Sequence, residues 1–519
     1  MKGDWIEIEF GDLLNYLQPT SYIVNNTNYD DSYKTPVLTP GKSFIKGYTN
    51  ETEGIFNDLP VIIFDDFTTA SRYVNFPFKV KSSAMKILIP TSAFVNLKFV
   101  FYGMQVNRIR SDTHKRYWIS VYSKKSLLLP PLPEQRAIVA KIEQLFSELD
   151  NGIANLQAAK DKLAIYRQAV LKKAFEGELT QAWRAQQTNL PTADQLLEQI
   201  KAEREAHYQQ QLRTWQQSVI EWDAQGRKGK KPGKPKKGEE VEPISEEYLE
   251  KLPDIVSSWQ WSNLMNIAEL IGGVTKGRKL EGRALISLPY LRVANVQDGY
   301  LDLNQIKEIA VLPDDLKKYK LHKGDILYTE GGDKDKLGRG TIWNDEIKDC
   351  IHQNHIFRAR LYLKGMSSKF VGYYSQTRTA KNYFFSKAKQ TTNLASINLT
   401  VLSDLPIPIC SIPEQTQIVQ EIESRLSVCD KLGESIDDSL QKAEALRQSI
   451  LKRAFAGRLL TEAELTTCRQ EPDWEPAEKL LQRIKGEKAA PVDAAPVDTA
   501  PVDTAPVDTV PTTGNLFEQ

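Results

Sequence analysis

Two long stretches of the chain place apolar residues at heptad spacing. The first runs from residue 132 to 179 and the second from 412 to 459; an offset of 280 residues aligns them without a gap, and 18 of 48 positions are identical. Heptad spacing predicts helices that bury one another along a seam. We expect the two helices to pack antiparallel, because a whole globular block separates them in the chain.

The predicted seam takes two sets of positions from each stretch. In the first stretch these are Ile142, Leu149, Leu156, Leu163 and Val170, together with Ile138, Leu145, Gly152, Ala159 and Tyr166. In the second stretch they are Ile422, Cys429, Ile436, Ala443 and Ile450, together with Ile418, Arg425, Leu432, Ser439 and Leu446. The second seam is the poorer one, since Arg425 and Ser439 fall in it.

Both stretches begin and end with the same short motifs. Pro-Glu-Gln opens each of them, as Pro133, Glu134 and Gln135 and as Pro413, Glu414 and Gln415. Proline is tolerated in the first turn of a helix and not further in, so these motifs mark the helix starts. Ala-Phe-x-Gly closes each stretch, with the phenylalanines at Phe175 and Phe455.

A block of different character precedes each long stretch. Residues 1–128 contain short apolar, β-branched runs between turn residues, for example at 60–64, 73–80 and 85–89. Such runs predict strands, and the block therefore reads as a β-rich α+β domain. Residues 251–408 form the second block, which opens with Trp259 as the first opens with Trp5. The chain as a whole predicts a two-fold pseudo-repeat of block and helix.

Two further segments complete the chain. Residues 186–250 look like a linker, with a helical piece from 193 to 220 and then a Lys/Pro/Gly run at 227–237 that has too few apolar residues to order itself. A sequence similar to the start of this helical piece recurs at 477–485, where the offset between the two copies has become 284 residues. Residues 489–519 repeat Pro-Val-Asp and predict a disordered tail.

Composition narrows the class of protein. With 41% hydrophobic and 26% charged residues, the chain has the make-up of a globular protein of two or more domains. It has no apolar run of membrane-spanning length and no signal-peptide layout at its start, so we expect a cytoplasmic protein without a membrane partner. Its four cysteines form no CxxC pair, and its net charge of +1 is uninformative.

Catalytic signatures are absent from the sequence. It contains no phosphate-binding GxxxxGK[ST] loop, no GxGxxG after a strand and no GxSxG elbow. Asp333 and Asp335 superficially offer carboxylates for a metal-dependent nuclease, which stays as an alternative. Cys350, His352 and His355 are the only dense set of metal-ligand types, but half of a zinc site is missing, so a strand and turn is the favoured interpretation.

Basic, aromatic and glycine-rich stretches give the stronger signal, and they favour contacts to DNA. Lysine, arginine and backbone amides position a protein on phosphates, while asparagine and glutamine can read adenine in the major groove. For any one such cluster, the alternative to DNA binding is an ordinary charged surface that faces solvent. The candidate DNA-binding residues are Lys79, His114, Lys115, Arg116, Tyr117, Gly331, Gly332, Lys334, Lys336, Arg339, Gln353, Asn354 and His355.

With these residues in view, the chain resembles the specificity (S) subunit of type I restriction–modification systems. The resemblance rests on the duplicated PEQ…IVxxIE…RQxxLKxAFxG helix, on Pro60–Asp66, on Tyr290–Gln297 and on Gly324–Leu327. It covers nearly the whole chain apart from the tail and the Lys-rich linker. Those two segments depart from the family pattern and leave their own roles open.

The resemblance implies a role and a set of partners. The blocks at 1–128 and 251–408 would be target-recognition domains, each reading half of a split, asymmetric site on double-stranded DNA. The segments at 129–185 and 409–488 would be conserved spacer helices that dock two modification (methyltransferase) subunits, and through them the restriction/translocase subunits. The chain itself would be non-catalytic and would bind no cofactor, while its partners use S-adenosylmethionine, ATP and Mg²⁺.

The resemblance also assigns residues to subunit docking and the helix pair. They are Pro133, Glu134, Gln135, Ile138, Ile142, Leu149, Leu156, Leu163, Val170, Phe175, Pro413, Glu414, Gln415, Ile418, Ile422, Ile436, Leu446, Ile450 and Phe455. A helix of about 45 residues is about 65 Å long, and one turn of DNA is about 34–36 Å. We expect the helices to set the gap between the half-sites. A stand-alone nuclease and a structural coiled-coil adaptor remain the alternatives.

Overall fold

The structure is a computed structural model, and it describes residues 4–39, 43–107, 116–229, 231–235, 237, 243–280, 282–332, 337–390 and 395–489. Its contacts divide the chain into two compact units. The first unit is Met1–Asn155 with Ser439–Gln519, and the second unit is Leu156–Asp438. The division falls inside both long helices, so each unit contains part of each helix.

The first block consists of short strands with one longer helix. Its elements are β1 (Ile6–Glu9), α1 (Phe10–Leu13), β2 (Leu14–Leu17), β3 (Thr35–Leu38), β4 (Ile45–Thr49), β5 (Val61–Asp65), β6 (Ser71–Val74), β7 (Lys79–Val80), β8 (Met85–Pro90), α2 (Leu97–Val106) and β9 (Ser126–Leu129), with a 3-10 turn at Thr20–Tyr22 and a π turn at Trp118–Tyr122. The first long helix, α3 (Leu132–Phe175), follows.

The second block repeats this style of structure after three helices. Its elements are α4 (Gln181–Ala185), α5 (Ala193–Ala224), α6 (Glu246–Leu249), β10 (Gln260–Asn263), α7 (Leu264–Ile267), β11 (Ala268–Gly272), β12 (Ile286–Leu291), β13 (Lys307–Val311), α8 (Pro313–Tyr319), β14 (Ile326–Thr329), β15 (Gly331–Gly332), β16 (Gly340–Ile342), β17 (Ile351–His352), β18 (Ile356–Leu361), α9 (Ser368–Ser375), α10 (Arg378–Lys387), β19 (Lys389–Gln390), β20 (Ala395–Ser396), α11 (Leu399–Ser403) and β21 (Pro406–Ile409), with a 3-10 turn at Val293–Asn295. The second long helix, α12 (Ile412–Phe455), leads to α13 (Glu462–Arg469) and α14 (Ala477–Ala489).

The two blocks share a sheet plan. The first has an antiparallel sheet β2-β8-β5-β6, a mixed sheet β4-β3-β7 and the pair β1-β9. The second has β11-β18-β14-β16, β13-β12-β17 and the pair β10-β21 in the same roles, and adds a small sheet β15-β20-β19. The predicted α+β class with two long helices is confirmed. In each block the closing pair brings the first strand beside the strand that leads into a long helix.

The strands form because their apolar residues are buried on both faces. All five residues of β5, Val61–Asp65, are buried, and so are the four residues of β14, Ile326–Thr329. Continuous apolar runs of this length suit central strands, and the runs predicted at 60–64 and 85–89 correspond to β5 and β8. Across the described residues, no helix combines the length and apolarity needed to cross a bilayer.

The end of each long helix returns to pack on a globular block. In the first unit the ring of Phe455 lies 4.9 Å from that of Phe99 in α2. In the second unit the ring of Phe175 lies 5.1 Å from that of Phe370 in α9. The repeated Ala-Phe-x-Gly motif is therefore a core anchor in both units.

The similar sequence at offset 284 also has a structural meaning. Ala193, Leu196 and Ile200 are buried in the core of the second unit, and Ala477, Leu480 and Ile484 are buried in that of the first. These residues lie in the first turns of α5 and α14, and each helix covers the core of its own unit at the corresponding position. The sequence similarity therefore reflects a repeated core contact.

The Lys/Pro/Gly run at 227–237 was predicted not to order itself, but its described part contacts α5. The indole nitrogens of Trp215 and Trp222 donate hydrogen bonds to the carbonyls of Pro232 and Gly229, at 3.0 and 3.2 Å. Lys234 lies 5.9 Å above the ring of Trp215. The described part of the run thus lies along α5, because two tryptophans on that helix supply the contacts that the run itself lacks.

Candidate nucleic-acid interface and helix surfaces

Two of the predicted stretches of the second block, at 331–339 and 353–355, meet beside the glycines at 272–273. The backbone nitrogen of Asn354 donates to the carbonyl of Val274 at 2.9 Å, and that of Glu330 donates to the carbonyl of His355 at 2.9 Å. A Cβ on Gly273 would lie 2.0 Å from the carbonyl oxygen of His352, so only glycine allows this approach. The glycines at 272–273, which do not have phosphate-loop spacing, serve here to bring two backbones together.

The side chains at this place are polar and partly exposed. His355 is hydrogen-bonded through Nδ1 to the carboxylate of Glu330, and Asn354 lies 3.4 Å from the Nε2 of His355. Gln353 has its backbone nitrogen bonded to the carbonyl of Leu291 at 3.0 Å. This turn therefore presents amide and imidazole groups on a fixed backbone, which is the chemistry that base edges require.

Arg339 lies in the same region of the second unit. Its guanidinium donates to the side-chain oxygen of Gln297 at 2.6 Å, and its carbonyl accepts from the backbone nitrogen of Thr329 at 3.0 Å. The amine of Lys381 donates to the carbonyl of Gly338 at 3.3 Å and to Asp298 at 2.9 Å. Arg339 is thus linked through Thr329 to the strand that precedes Gly331, and Lys381 is held beside Gly338. Lys334 and Lys336 lie outside the described residues.

In the first block, the predicted basic cluster is only partly described. His114 and Lys115 lie outside the described residues, whereas Arg116 is exposed. Tyr117 is buried, with its backbone nitrogen bonded to the carbonyl of Asp66 at 2.9 Å. We therefore retain Arg116 and remove Tyr117 from the candidate DNA contacts.

Lys79 requires the same correction. Only 2% of its surface is exposed, and its amine lies 2.9 Å from the carboxylate of Glu51 and donates to the carbonyl of Glu53 at 2.6 Å. A lysine with these partners fixes the backbone around Gly54 and cannot reach a phosphate. The sequence could not reveal this, because a lysine in a strand normally faces solvent.

The candidate metal ligands lie in and around the short strand β17. Cys350 and His352 are buried in and beside β17, and the Nδ1 of His352 lies 2.9 Å from the carbonyl oxygen of Ile356. Burial lowers the pKa of His352 to about 4, so its imidazole is neutral near pH 7. Within the described ranges, no three His, Cys, Asp or Glu side chains gather as a metal-binding group.

One predicted set of seam positions is at most partly exposed throughout, whereas the other contains both buried and exposed members. Ile142, Val170, Ile422 and Ile450 are buried, and the intervening members of their set are at most partly exposed. Leu446 and Leu432 are each 50% exposed, and Tyr166 is 46% exposed. In this second set Ile138 and Ile418 are buried. Further along the helices, the next residues Ile153, Leu426 and Arg447 are less exposed than the predicted Gly152, Arg425 and Leu446. Leu446 is therefore not a seam residue.

The Pro-Glu-Gln motifs begin the long helices as predicted, but their Glu and Gln side chains are buried and are not exposed for docking. In the second unit Glu414 is 2% exposed and accepts a hydrogen bond from the indole nitrogen of Trp259 at 3.0 Å. In the first unit Glu134 is 3% exposed and accepts one from Trp5 at 2.9 Å. The carboxylates thus join each helix start to the opening of its block, and they do not lie on an exposed docking face.

The glutamines of the motif act in the same way. Gln135 donates to the carbonyl of Pro130 at 2.8 Å, and Gln415 donates to that of Cys410 at 2.9 Å. Both side chains are fully buried. Sequence reasoning noticed the paired tryptophans and the paired motifs separately. In each repeat the tryptophan lies at the start of the block and the motif follows its end. This shared arrangement was the signal that could have predicted their contact.

Exposed apolar residues do occur on the long helices, away from these motifs. In the second unit Ile165 is 67% exposed and Val428 is 56% exposed, with Leu432 close to the same level of the helix pair. Contiguous exposed apolar side chains mark protein-interaction surfaces more often than single ones do. This surface, defined by Ile165, Tyr166, Val428 and Leu432, is the exposed helix surface of the second unit.

Comparison with known proteins gives one consistent family. Residues 257–442 match the family model described as the type I restriction modification DNA specificity domain. The EcoR124I/EcoR124II specificity subunit of Escherichia coli is 42% identical over 193 residues, which are 34% of this chain and 47% of that protein. The EcoDI specificity subunit of Escherichia coli is 23% identical over 94% of this chain and 96% of its own length.

The chain is thus similar to specificity subunits of type I restriction enzymes, over residues 257–442 in the family model and over 94% of its length in the EcoDI subunit. A solved chain from work on complex assembly and conformational transition of the type I R-M system matches 88% of this chain and 99% of its own length, with a TM-score of 0.56 and 15% identity. That likeness concerns the fold alone. The chain spans about half the length of the EcoR124I/EcoR124II subunit that it matches.

Proposed function

We propose that this chain is the DNA-recognition subunit of a type I restriction–modification complex and reads a bipartite, asymmetric site on double-stranded DNA. The match to a DNA specificity domain over 257–442 is the observation that carries the proposal. The two blocks share a sheet plan but differ in their surface side chains, which suits the recognition of two different half-sites.

In the second block, the contacts to DNA come from the region around Arg339. Arg339 and Lys381 supply positive charge for phosphates, and the Gln353–His355 turn supplies groups for base edges. Gly331 and Gly332 belong to the same region because they follow Glu330, whose backbone nitrogen donates to the carbonyl of His355 at 2.9 Å. In the first block the described contact is Arg116, which is exposed beside the buried pair of Lys86 and Asp66.

The same proposal includes docking of the modification subunits on the long helices, and through them of the restriction/translocase subunits. The exposed helix surface of the second unit supports it, because Ile165 and Val428 leave apolar area in water that a partner would cover. The specificity-subunit family recognises DNA and is not catalytic. S-adenosylmethionine, ATP and Mg²⁺ are therefore assigned to the partner subunits.

The test separates recognition from catalysis. The purified chain is incubated with DNA and labelled S-adenosylmethionine, or with DNA and Mg²⁺, each with and without the modification subunit. We expect methyl transfer only when the modification subunit is present, and a gel shift that requires the cognate sequence. Methyl transfer or cleavage by the chain alone would contradict the proposal, as would a complex that methylates DNA without sequence preference.

A further inference from the structure

A buried ion pair in the second unit shows that the start of a long helix can bind a guanidinium group. The guanidinium of Arg184 donates to the carboxylate of Glu414 at 2.8 Å and to the carbonyl of Gly177 at 2.7 Å. It also lies 6.0 Å from the ring of Trp259, and Thr180 donates to the same carboxylate at 2.9 Å. A tryptophan, a glutamate and the glycine that ends α3 thus form a cradle for one guanidinium.

The same three residue types come together in the first unit. Trp5, Glu134 and Gly457 line a cavity of about 160 Å³, and the indole of Trp5 donates to Glu134 at 2.9 Å. Glu134 and Gly457 lie 280 residues from Glu414 and Gly177, and both glycines have positive φ, 68° and 78°. We call these three residues the Glu134 cradle.

The Glu134 cradle has no guanidinium bound to its carboxylate. Within the described part of the chain Glu134 forms no ion pair, whereas Glu414 is paired with Arg184. Leu460 lines the cavity at the position that Thr180 has in the other repeat. Arg469 lines it as well, without reaching the carboxylate, and Asp4 adds a second acid.

The electrostatics of the cradle favour a cation. A carboxylate that is 97% buried loses most of its hydration, and one indole hydrogen bond replaces little of it. This desolvation raises the pKa of Glu134 above its ordinary value, while Arg469 opposes the effect and Asp4 adds to it. An incoming guanidinium would restore both charge balance and hydrogen bonds, and it could lie on the ring of Trp5.

We propose that the Glu134 cradle is a binding site for a guanidinium group, supplied by an arginine side chain of a partner subunit. The chemistry is read from the second unit, where the same three residue types hold a guanidinium from within the chain. Arginine suits the site better than lysine, because a planar fork can bond the carboxylate and the glycine carbonyl together. The choice of partner rests on the proposed assembly with the modification subunit.

The indole N–H of Trp5 provides a local reporter, since it donates to the carboxylate that the ligand would bind. Methylguanidinium chloride is titrated into the full chain labelled with ¹⁵N at tryptophan, with methylammonium chloride at matched ionic strength as the control. We expect a saturable shift of the Trp5 resonance with a Kd on the order of 1 mM. Glu134→Gln, which keeps the side-chain shape, should weaken binding at least about tenfold. A Trp5 resonance that methylguanidinium does not move would overturn the proposal.

Arg184→Ala is the matched control. It opens the cradle of the second unit, so the indole resonance of Trp259 should become responsive to methylguanidinium while remaining silent in the wild type. A rise in the thermal midpoint of this variant with methylguanidinium gives a second readout. A response at Trp259 in the variant with no response at Trp5 would show that the two cradles differ, and would overturn the proposal.

Two arms distinguish the source of the guanidinium. If Arg469 is the occupant in solution, the wild type fails to bind methylguanidinium and Arg469→Ala binds it, which contradicts a partner arginine. If a partner supplies it, binding of the modification subunit abolishes the response of Trp5 to methylguanidinium. A complex that forms and leaves Trp5 responsive overturns the partner assignment. Failure to form any complex contradicts the proposed assembly, and the titration of the free chain still decides whether the cradle binds a guanidinium.

Discussion

Arg167 of α3 donates a hydrogen bond to Asp430 of α12 at 2.6 Å. Seven residues earlier in α3, Lys160 donates to Asp437, which is seven residues later in α12, also at 2.6 Å. Opposite steps along the two helices define antiparallel packing. In the first unit Arg447 pairs with Asp150, and these residues lie 280 positions from Arg167 and Asp430. The repeat therefore preserves the residues that fix the helix register.

A double-mutant cycle tests this register. Both partners of the Arg167–Asp430 pair are about half exposed, so the expected coupling energy is about 0.2–1 kcal/mol and falls at high salt. Arg167→Ala, Asp430→Ala and the double variant are compared by urea unfolding. The mismatched cycle of Arg167 with Asp437 serves as the control and should show no coupling. Equal coupling in the two cycles would refute the register.

Truncation of Arg184 should be far more damaging than loss of an exposed ion pair. Glu414 is 2% exposed and Arg184 is 17% exposed, so Arg184→Ala leaves a buried carboxylate without its cation. The expected loss of unfolding free energy is about 3–5 kcal/mol. Lys251→Ala removes an exposed i,i+4 pair with Glu247 and should leave the unfolding free energy nearly unchanged. Similar losses in the two variants would contradict the cradle described for Glu414.

The sequence predicted the elements whose signal is long and periodic. The two helices of 44 residues and the strands β5 and β8 come directly from apolar spacing and apolar runs. One seam set was wrong away from the helix starts, because positions such as Leu446 are apolar yet exposed while Arg447 packs on Phe146 at 4.6 Å. Heptad patterns cannot decide between neighbouring positions when both carry suitable side chains.

Side-chain roles in the candidate site were harder to predict. The interpretation of Glu134 and Gln135 as docking residues treated polar side chains at a helix start as exposed, whereas tertiary contacts with Trp5 and Pro130 bury them. Lys79 is buried for the same kind of reason, through Glu51. Pairings of residues distant in sequence decide these cases, and a single sequence contains no direct record of them.

Arg339→Ala should weaken DNA binding and lower its dependence on salt. Removal of one phosphate contact reduces the slope of log K against log salt by about 1. Lys336→Ala is predicted to act in the same way, although Lys336 lies outside the described residues. The binding constants are measured by fluorescence anisotropy at several salt concentrations, with Lys251→Ala as a control. Wild-type slopes for both variants would show that this region does not contact DNA.

The second unit should lose stability in mild acid because of His352. Its pKa is lowered from about 6.5 when unfolded to about 4 when folded, since burial disfavours the charged ring. Below pH 6.5 the unfolded chain therefore binds a proton that the folded chain does not, and unfolding free energy falls as pH falls. The expected loss from this group between pH 7 and pH 4.5 is about 2–3 kcal/mol. Comparison with His352→Gln by urea unfolding isolates it; equal pH dependence in the two proteins would contradict the burial argument.

Mapping of methylated sites tests the central claim, that this chain reads two separated half-sites, most directly. A host that expresses the chain with its modification subunit is compared with one in which each long helix carries one extra heptad, about 10 Å of helix, at the level of Asp150 and Arg447. We predict two fixed sequence elements with an unspecified gap, and a gap about three base pairs longer in the variant, given about 3.4 Å per base pair. A single contiguous site, or a gap that the insertion leaves unchanged, would contradict the account.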